Sequence, residues 1–379
     1  MIYIVCTSDL TRYSGDSIRI AALSSGLSRH LDETVNLVFP VRYKDEKSTI
    51  LSEFNSKRLN LIGIPVKCDV TSRIGFANSL IVIHQYLKTI HFKNSLIQVE
   101  GSIVGGILAS LGFKGHIVDI HGLYFEELVH NYPQSFISLP YKQLTYCIEK
   151  RSVESAKTIL TPSRYMKNFL VTTCKINRNS IHVIYNGFSK DLVKATKEKE
   201  EEGMITFVGG LAKWACVGKI IEAARFLRDY DVHFYIVGDG PDKPRIAHLI
   251  KQHGLENVTL AGRVPIREAH KYIARSQIVL SPFPKAAALD FACPIKLLEY
   301  MAFGKAILVD NVGEIPSMLQ KKDAALVSDP LSGEDFIDKL RLLINDKNLR
   351  RKISQNARNL AKDFTWDKQS VRLAEVYRN

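Results

Sequence analysis

The chain predicts an α/β protein built from two doubly wound parallel-sheet domains, and three observations carry that expectation. Short apolar runs alternate with helical patterns from end to end, and near-continuous apolar strands separated by helices belong to parallel sheets covered on both faces. One charged run, Lys194-Ala-Thr-Lys-Glu-Lys-Glu-Glu-Glu202, interrupts the alternation; it cannot build a core and reads as a linker. Three strand ends in the second half carry glycine, the residue that lets a backbone approach a ligand closely.

In the first half the strand candidates are Ile2–Cys6, Val35–Phe39, Leu59–Ile64, Leu96–Val99, His116–Ile120, Thr158–Leu160 and His182–Ile184, with helical patterns at Phe76–Ile90 and Leu139–Ser155 between them. After the charged run come Met204–Val208, Val232–Val237, Val258–Leu260, Ile278–Leu280, Ala306–Val309 and Ala325–Val327. The expected boundaries are therefore 1–188 for the first domain, 189–203 for the linker and 204–365 for the second domain, with a final helix over 366–379. A length of 379 residues suits two domains with good cores. In such sheets ligands bind beyond the carboxyl ends of the strands, so each domain is expected to offer one wall of a cleft.

Composition narrows the class. An apolar fraction of 46% is ordinary for a globular protein. The cysteines (Cys6, Cys68, Cys147, Cys174, Cys216, Cys293) stand singly with no C-x-x-C pair. That argues against a zinc site and for a reducing, cytoplasmic setting. Met1-Ile-Tyr-Ile-Val-Cys6 reads as a first strand rather than a signal peptide. No apolar run approaches the roughly 18 residues of a spanning helix, and Ile103–Phe113 reads as a short buried helix. The net charge of +13 concentrates in Lys142, Lys150, Arg151, Lys157, Arg164, Lys167, Lys175 and Arg178. Those residues suit either a solvated helix surface or a face against an anionic membrane, which would make the protein peripheral on the cytoplasmic side. The charge is not interleaved with stacking aromatics, so no nucleic-acid partner is expected.

The most informative stretch is Pro294-Ile-Lys-Leu-Leu-Glu-Tyr-Met-Ala-Phe-Gly-Lys-Ala-Ile-Leu-Val309, a helix opened by Pro294 and stopped by Gly304, then a buried strand. Free N–H groups at the helix start suit a phosphate. Lys296 and Glu299 share one helix face, placed for a diphosphate and a ribose, although an ordinary surface Lys–Glu pair has the same spacing. The glycine turns are Phe207-Val-Gly-Gly210, Ile236-Val-Gly-Asp-Gly240 and Thr259-Leu-Ala-Gly-Arg263. None is a G-x-G-x-x-G or Walker sequence, which argues against a dinucleotide oxidoreductase or a kinase. In the first half, Thr11-Arg-Tyr-Ser-Gly-Asp-Ser17 opens a helix that Ser14 or Asp16 would cap. Val118-Asp-Ile-His-Gly-Leu-Tyr-Phe-Glu-Glu127 ends a strand in His121, and Tyr185-Asn-Gly-Phe188 is a turn signal.

Lys296, Glu299, Tyr300, Met301, Ala302, Gly304 and Lys305 match a K-x-x-E-Y-M-A-x-G-K pattern, and in this the chain resembles the group-1 (family-4) retaining glycosyltransferases of GT-B fold. Weaker matches run through both halves. The resemblance implies two Rossmann-like domains facing across a cleft, and transfer of a sugar with retention from a UDP- or GDP-linked donor. It implies no cofactor and no metal, and an acceptor that is a glycan or a lipid-linked saccharide, bound by the first domain. Carried over residue by residue, Glu299 would hold the donor ribose, Lys296 the diphosphate, and His121 of the D-x-H-G segment would lie beside the donor sugar. The remaining substrate contacts would come from Gly15, Asp16, Gly209, Gly210, Lys213, Gly238, Asp239, Arg263, Val264, Asp290, Pro294, Ile295 and Leu298, with Ser163 a minor candidate. The chain departs from the family in three places. Gly210 stands where an Arg is usual, Ala215-Cys216 replaces a Lys-Gly pair, and the position eight before Glu299 is Phe291 rather than an acid, with Asp290 one step further off. Lys213, Lys219, Arg263 or Lys296 would have to supply the missing positive charge. Otherwise the protein would be a silent nucleotide-sugar-binding subunit; a sugar-nucleotide epimerase is a third reading.

Overall fold

The computed structural model describes residues 1–11, 13–41, 53–66, 73–89, 95–113, 115–131 and 139–379; Arg12, Cys68 and Ile90 lie outside these. The chain divides into two compact units, Met1–Asn186 with Trp366–Asn379, and Gly187–Thr365.

The first unit is built on seven strands: β1 (Ile2–Val5), β2 (Val35–Val41), β3 (Leu59–Pro65), β4 (Leu96–Glu100), β5 (Ile117–Asp119), β6 (Thr158–Thr161) and β7 (Ile181–Val183). Their spatial order is β3-β2-β1-β4-β5-β6-β7, every pairing parallel. The chain winds outward from β1 in one direction and then returns to β4 on its other side, so the topological switch lies between these two strands. The carboxyl ends of strands at a switch are where such sheets accept ligands. Ser14 caps the helix Gly15–His30 in a reciprocal pair with Ser17. The final helix, Trp366–Arg378, packs against that helix. Gly26 permits the approach, since a Cβ there would lie 1.8 Å from Ser370 Oγ. Two polar contacts fasten the tail: Tyr377 Oη donates to Gln98 Oε1 at 2.6 Å and Arg378 Nη2 to His30 O at 2.6 Å.

In the second unit β8 (Met204–Val208), β9 (His233–Val237), β10 (Val258–Gly262), β11 (Ile278–Ser281), β12 (Ala306–Asp310) and β13 (Leu326–Ser328) form a parallel sheet of order β10-β9-β8-β11-β12-β13. All of β12 is buried, as expected of a strand covered on both faces. The switch lies between β8 and β11. The charged run expected as a linker is partly ordered within this unit. A helix spans Lys190–Ala195, Arg275 grips Glu201 through Nε at 2.6 Å and Nη2 at 2.9 Å, and Lys305 Nζ reaches Glu200 at 3.1 Å. Each of these acids meets a cation on a neighbouring element, which is why this part of the run is not free chain.

Candidate functional site

In the second unit the three glycine turns lie side by side at the carboxyl ends of β8, β9 and β10. Gly209 N donates to Val237 O at 3.0 Å, Gly238 N to Gly262 O at 2.8 Å and Leu211 N to Asp239 O at 2.9 Å. This close approach requires glycine, because a Cβ on Gly238 would lie 1.9 Å from Gly209 O. Asp239 accepts from Gly240 N at 3.0 Å and lies 3.4 Å from Lys243 Nζ and 4.0 Å from Arg263 Nε. Arg263 is largely exposed and Val264 partly so.

On the other side of the switch the helix Ile295–Phe303 begins at Pro294 and ends at Gly304 in the left-handed conformation (φ 62°, ψ 52°). Tyr300 fixes its position: the Val208 N–H donates to the phenol oxygen at 2.8 Å. Lys305, the last residue of the motif, is structural, with Nζ donating to Ala274 O at 2.6 Å. Lys296 is different. Its Nζ is buried, has no hydrogen-bond partner among the described residues, and lies 4.4 Å from the Phe207 ring centroid, 4.8 Å from Phe283 and 5.9 Å from Trp214. Burial pushes the ammonium down to about 7. A Cβ on Gly209 would sit 3.7 Å from this nitrogen, so the glycine keeps backbone beside it. Glu299 turns to His270, whose Nε2 is 3.1 Å from Oε1. The ordinary surface Lys–Glu pair is therefore not what the chain forms: the lysine sits in an aromatic cage and the glutamate is held by a buried histidine.

Other expected residues fall differently. Leu298 is fully buried and its N–H is turned back to Pro294 O at 3.4 Å, so its side chain packs in the core rather than facing a ligand. Lys219 is held by buried Asp310 at 2.8 Å, which removes it as a replacement cation. Asp290 accepts from Gly313 N at 3.3 Å and lies 3.6 Å from Lys285, so it steadies a turn. Lys213 is exposed at the start of a short turn over Lys213–Ala215. Gly210 is exposed, and a Cβ there would meet nothing nearer than Trp214 Cζ2 at 3.9 Å. Ala215 is fully buried and Cys216 adopts φ 50°, ψ 33°, a left-handed geometry that favours the glycine of the family's pair.

The first unit gathers a second cluster at the ends of β4 and β5. His121 Nε2 lies 2.7 Å from Glu100 Oε2 and 3.8 Å from Asp119 Oδ2, while Nδ1 lies 3.4 Å from Asp16 Oδ1. Burial alone would lower the imidazole; its hydrogen bonds to Asp16 and Glu100 outweigh that and raise it to about 10. Arg19 Nε and Nη2 grip Asp119 at 3.0 and 2.9 Å, and Arg19 Nη1 reaches Ile184 O and Asn186 Oδ1, each at 2.9 Å. The N-G turn is thus a structural anchor. Glu100, Asp119 and His121 are close enough to suggest a cation site. Two cations, Arg19 and the protonated His121, already balance these carboxylates. Gly15 opens its helix with no neighbour near its Cβ position, so space does not require glycine there. Buried Ser163 caps the helix Arg164–Thr172, accepting from Met166 N at 3.1 Å, which makes it a structural residue. Of the basic segment, Lys142 is buried and Lys167 donates to Ile181 O, while Lys150, Arg151, Lys157 and Arg164 are exposed.

The chain matches Glycosyl transferases group 1 over residues 188–360 and Glycosyltransferase Family 4 over residues 60–192. It is 25% identical over 228 residues to an uncharacterized glycosyltransferase of Methanocaldococcus jannaschii, covering 60% of this chain and 61% of that protein's length. Among solved structures it superposes on sucrose-phosphate synthase from Thermosynechococcus elongatus with a TM-score of 0.81 at 16% identity, covering 100% of this chain and 98% of the other. It also superposes on Anabaena HepE in complex with UDP, with a TM-score of 0.73 at 15% identity over 100% and 99% of the two chains. The two family matches, the pair of parallel sheets and these neighbours agree: the chain belongs to the group-1, family-4 glycosyltransferases and has their GT-B fold.

Proposed function

We propose that the protein moves a sugar from a nucleotide donor to an acceptor hydroxyl, with the donor's diphosphate at the start of the helix Ile295–Phe303. The observation that carries this reading is Lys296, a buried ammonium with no partner among the described residues, beside Gly209 and one residue inside a helix N-terminus. A buried unpaired cation is unfavourable on its own, and an anion arriving there removes the penalty. Negative charge grows on the departing nucleoside diphosphate, where a fixed ammonium and the helix dipole stabilise it. Glu299, steadied by His270, takes the ribose hydroxyls. The Asp16 side of His121 is the more open one, and it is the edge we assign to the donor sugar.

The UDP in the HepE complex favours a uridine or comparable nucleoside diphosphate donor. The likeness to the family supports transfer with retention and without a metal. For the acceptor we favour a glycan or lipid-linked saccharide met at the cytoplasmic face of a membrane. Tyr141, Leu144 and Tyr146 are exposed on the helix Leu139–Ser155, which also carries Lys150 and Arg151, a mix suited to an anionic interface. Flotation with vesicles containing anionic lipid should carry the protein upward, and Lys150→Glu with Arg151→Glu should abolish this.

Calorimetric titration of UDP, GDP and their sugars tests the donor reading. Glu299→Ala should weaken the best ligand by about tenfold or more, the worth of a charge-assisted hydrogen bond, without changing the fold. Equal affinity would remove the site. The second reading, a silent binding subunit, is favoured by Gly210 and Ala215; it binds donor but forms no glycosylated product with any acceptor.

A further inference from the structure

Away from the donor residues, the helix Lys347–Ala361 carries a second concentration of charge. Lys347, Arg350, Arg351 and Arg358 recur at helical spacing and therefore share one face. With Gly304 they line a cavity of about 280 Å³ within the second unit. Like charges on one helix face repel, and the neighbouring cations of this region are neutralised: Lys339 by Asp335 at 2.7 Å, Arg341 by Asp338 at 2.9 Å and Lys352 by Asp323 at 2.9 Å. Among the described residues, the four cavity cations form no ion pair. The only lining carboxylate, Glu200, is already engaged by Lys305 at 3.1 Å.

Two of the four are held in place by main-chain oxygens. Arg350 Nη1 donates to Leu343 O at 2.6 Å and Ile344 O at 2.7 Å, and Arg358 Nη2 donates to Phe303 O at 3.1 Å. These bonds restrain both guanidinium groups in the cavity wall, leaving them little freedom to lose on binding. Ser354 and Gln355 complete the wall, and no apolar or aromatic side chain lines it. Such a lining offers partners to phosphate oxygens and sugar hydroxyls but no aromatic ring on which a nucleobase could stack.

We propose that this cavity binds a small phosphorylated sugar, its phosphate among the arginines and its hydroxyls against Ser354 and Gln355. The site lies at the Gly304 end of the helix whose other end carries Lys296, and it shares no residue with the donor site. Calorimetric titration of the full-length chain with glucose 6-phosphate, inorganic phosphate, glucose and UDP tests it. Glucose 6-phosphate should bind wild type and Lys296→Met alike, and more tightly than inorganic phosphate or glucose. Reversing two exposed cations, Lys347→Glu with Arg351→Glu, should weaken glucose 6-phosphate by about 100-fold, roughly tenfold per charge-assisted contact, while UDP affinity stays unchanged and circular dichroism shows an intact fold. Absence of binding at millimolar glucose 6-phosphate would overturn the proposal, as would binding that survives the double reversal, binding lost in Lys296→Met, or phosphate binding as tightly as the sugar phosphate.

Discussion

Replacing Lys296 by methionine separates a residue kept for binding from one kept for stability. Burial lowers the ammonium from its ordinary 10.5 to about 7, a difference that corresponds to about 5 kcal/mol against the charged form. The two nearer rings, Phe207 and Phe283, return roughly 1–2 kcal/mol through cation–π attraction. A net penalty of about 3 kcal/mol remains at neutral pH. Methionine keeps the stem length and packs well against aromatic rings, so Lys296→Met should be more stable than wild type. For a unit of this size the gain is roughly 6–12 °C in melting temperature. The sign with pH follows from proton counting. Between about 7 and 10.5 the unfolded chain holds a proton that the native lysine does not, so wild-type stability rises through this window and the variant's advantage shrinks. Scanning calorimetry at pH 7 and pH 9 without ligand reads this, and a UDP titration should show affinity lower by about tenfold or more. A variant less stable than wild type, or one that binds UDP equally well, would refute the reasoning.

Three further outcomes are expected. Arg19→Ala strips buried Asp119 of its bidentate partner and leaves only His121, 3.8 Å away, as a nearby cation, which should cost about 3 kcal/mol in urea unfolding; a loss below 1 kcal/mol would mean the pair is not what holds β5. His121 is raised to about 10 by Asp16 and Glu100 against the lowering effect of burial, so its contribution is fully present below 6.5 and is lost as pH rises through about 10. The melting temperature of wild type relative to His121→Gln should therefore fall across that window, and a flat difference would contradict the ion-pair geometry. Gly210→Arg has room beside Trp214 and restores the family's cation, so it should fold normally and raise turnover or donor affinity; no gain in either would place the compensating charge elsewhere.

Most of the fold was legible because a strand buried on both faces leaves a continuous apolar run. Met204–Val208 and the helix Leu139–Ser155 fall where expected, and the other strand boundaries differ by a residue or two where strand ends depend on neighbours. The helix expected over Phe76–Ile90 starts three residues earlier, at Arg73, and the one expected over Ile103–Phe113 ends three residues sooner, at Ser110. The site was legible only in part. Helical spacing placed Lys296 and Glu299 on a common face, but their partners lie far away in sequence. The cage comes from Phe207, Trp214 and Phe283, and Glu299 is held by His270 on the helix Ile266–Arg275. Sheet order alone brings these together. The Arg19–Asp119 grip spans 100 residues and left no local signal. Leu298 and Lys219 were misjudged for a related reason. A helix position one step from Glu299 points into the core, and Lys219 meets an acid, Asp310, supplied by a strand more than 90 residues later.

The most direct test of the donor site is a crystal structure of the protein with UDP or GDP bound. The β-phosphate should lie within hydrogen-bond distance of Lys296 Nζ and of the N–H groups of Ile295 and Lys296, with the ribose hydroxyls on Glu299. A diphosphate bound elsewhere, with the Lys296 ammonium still enclosed by its three rings and touching no oxygen, would contradict it.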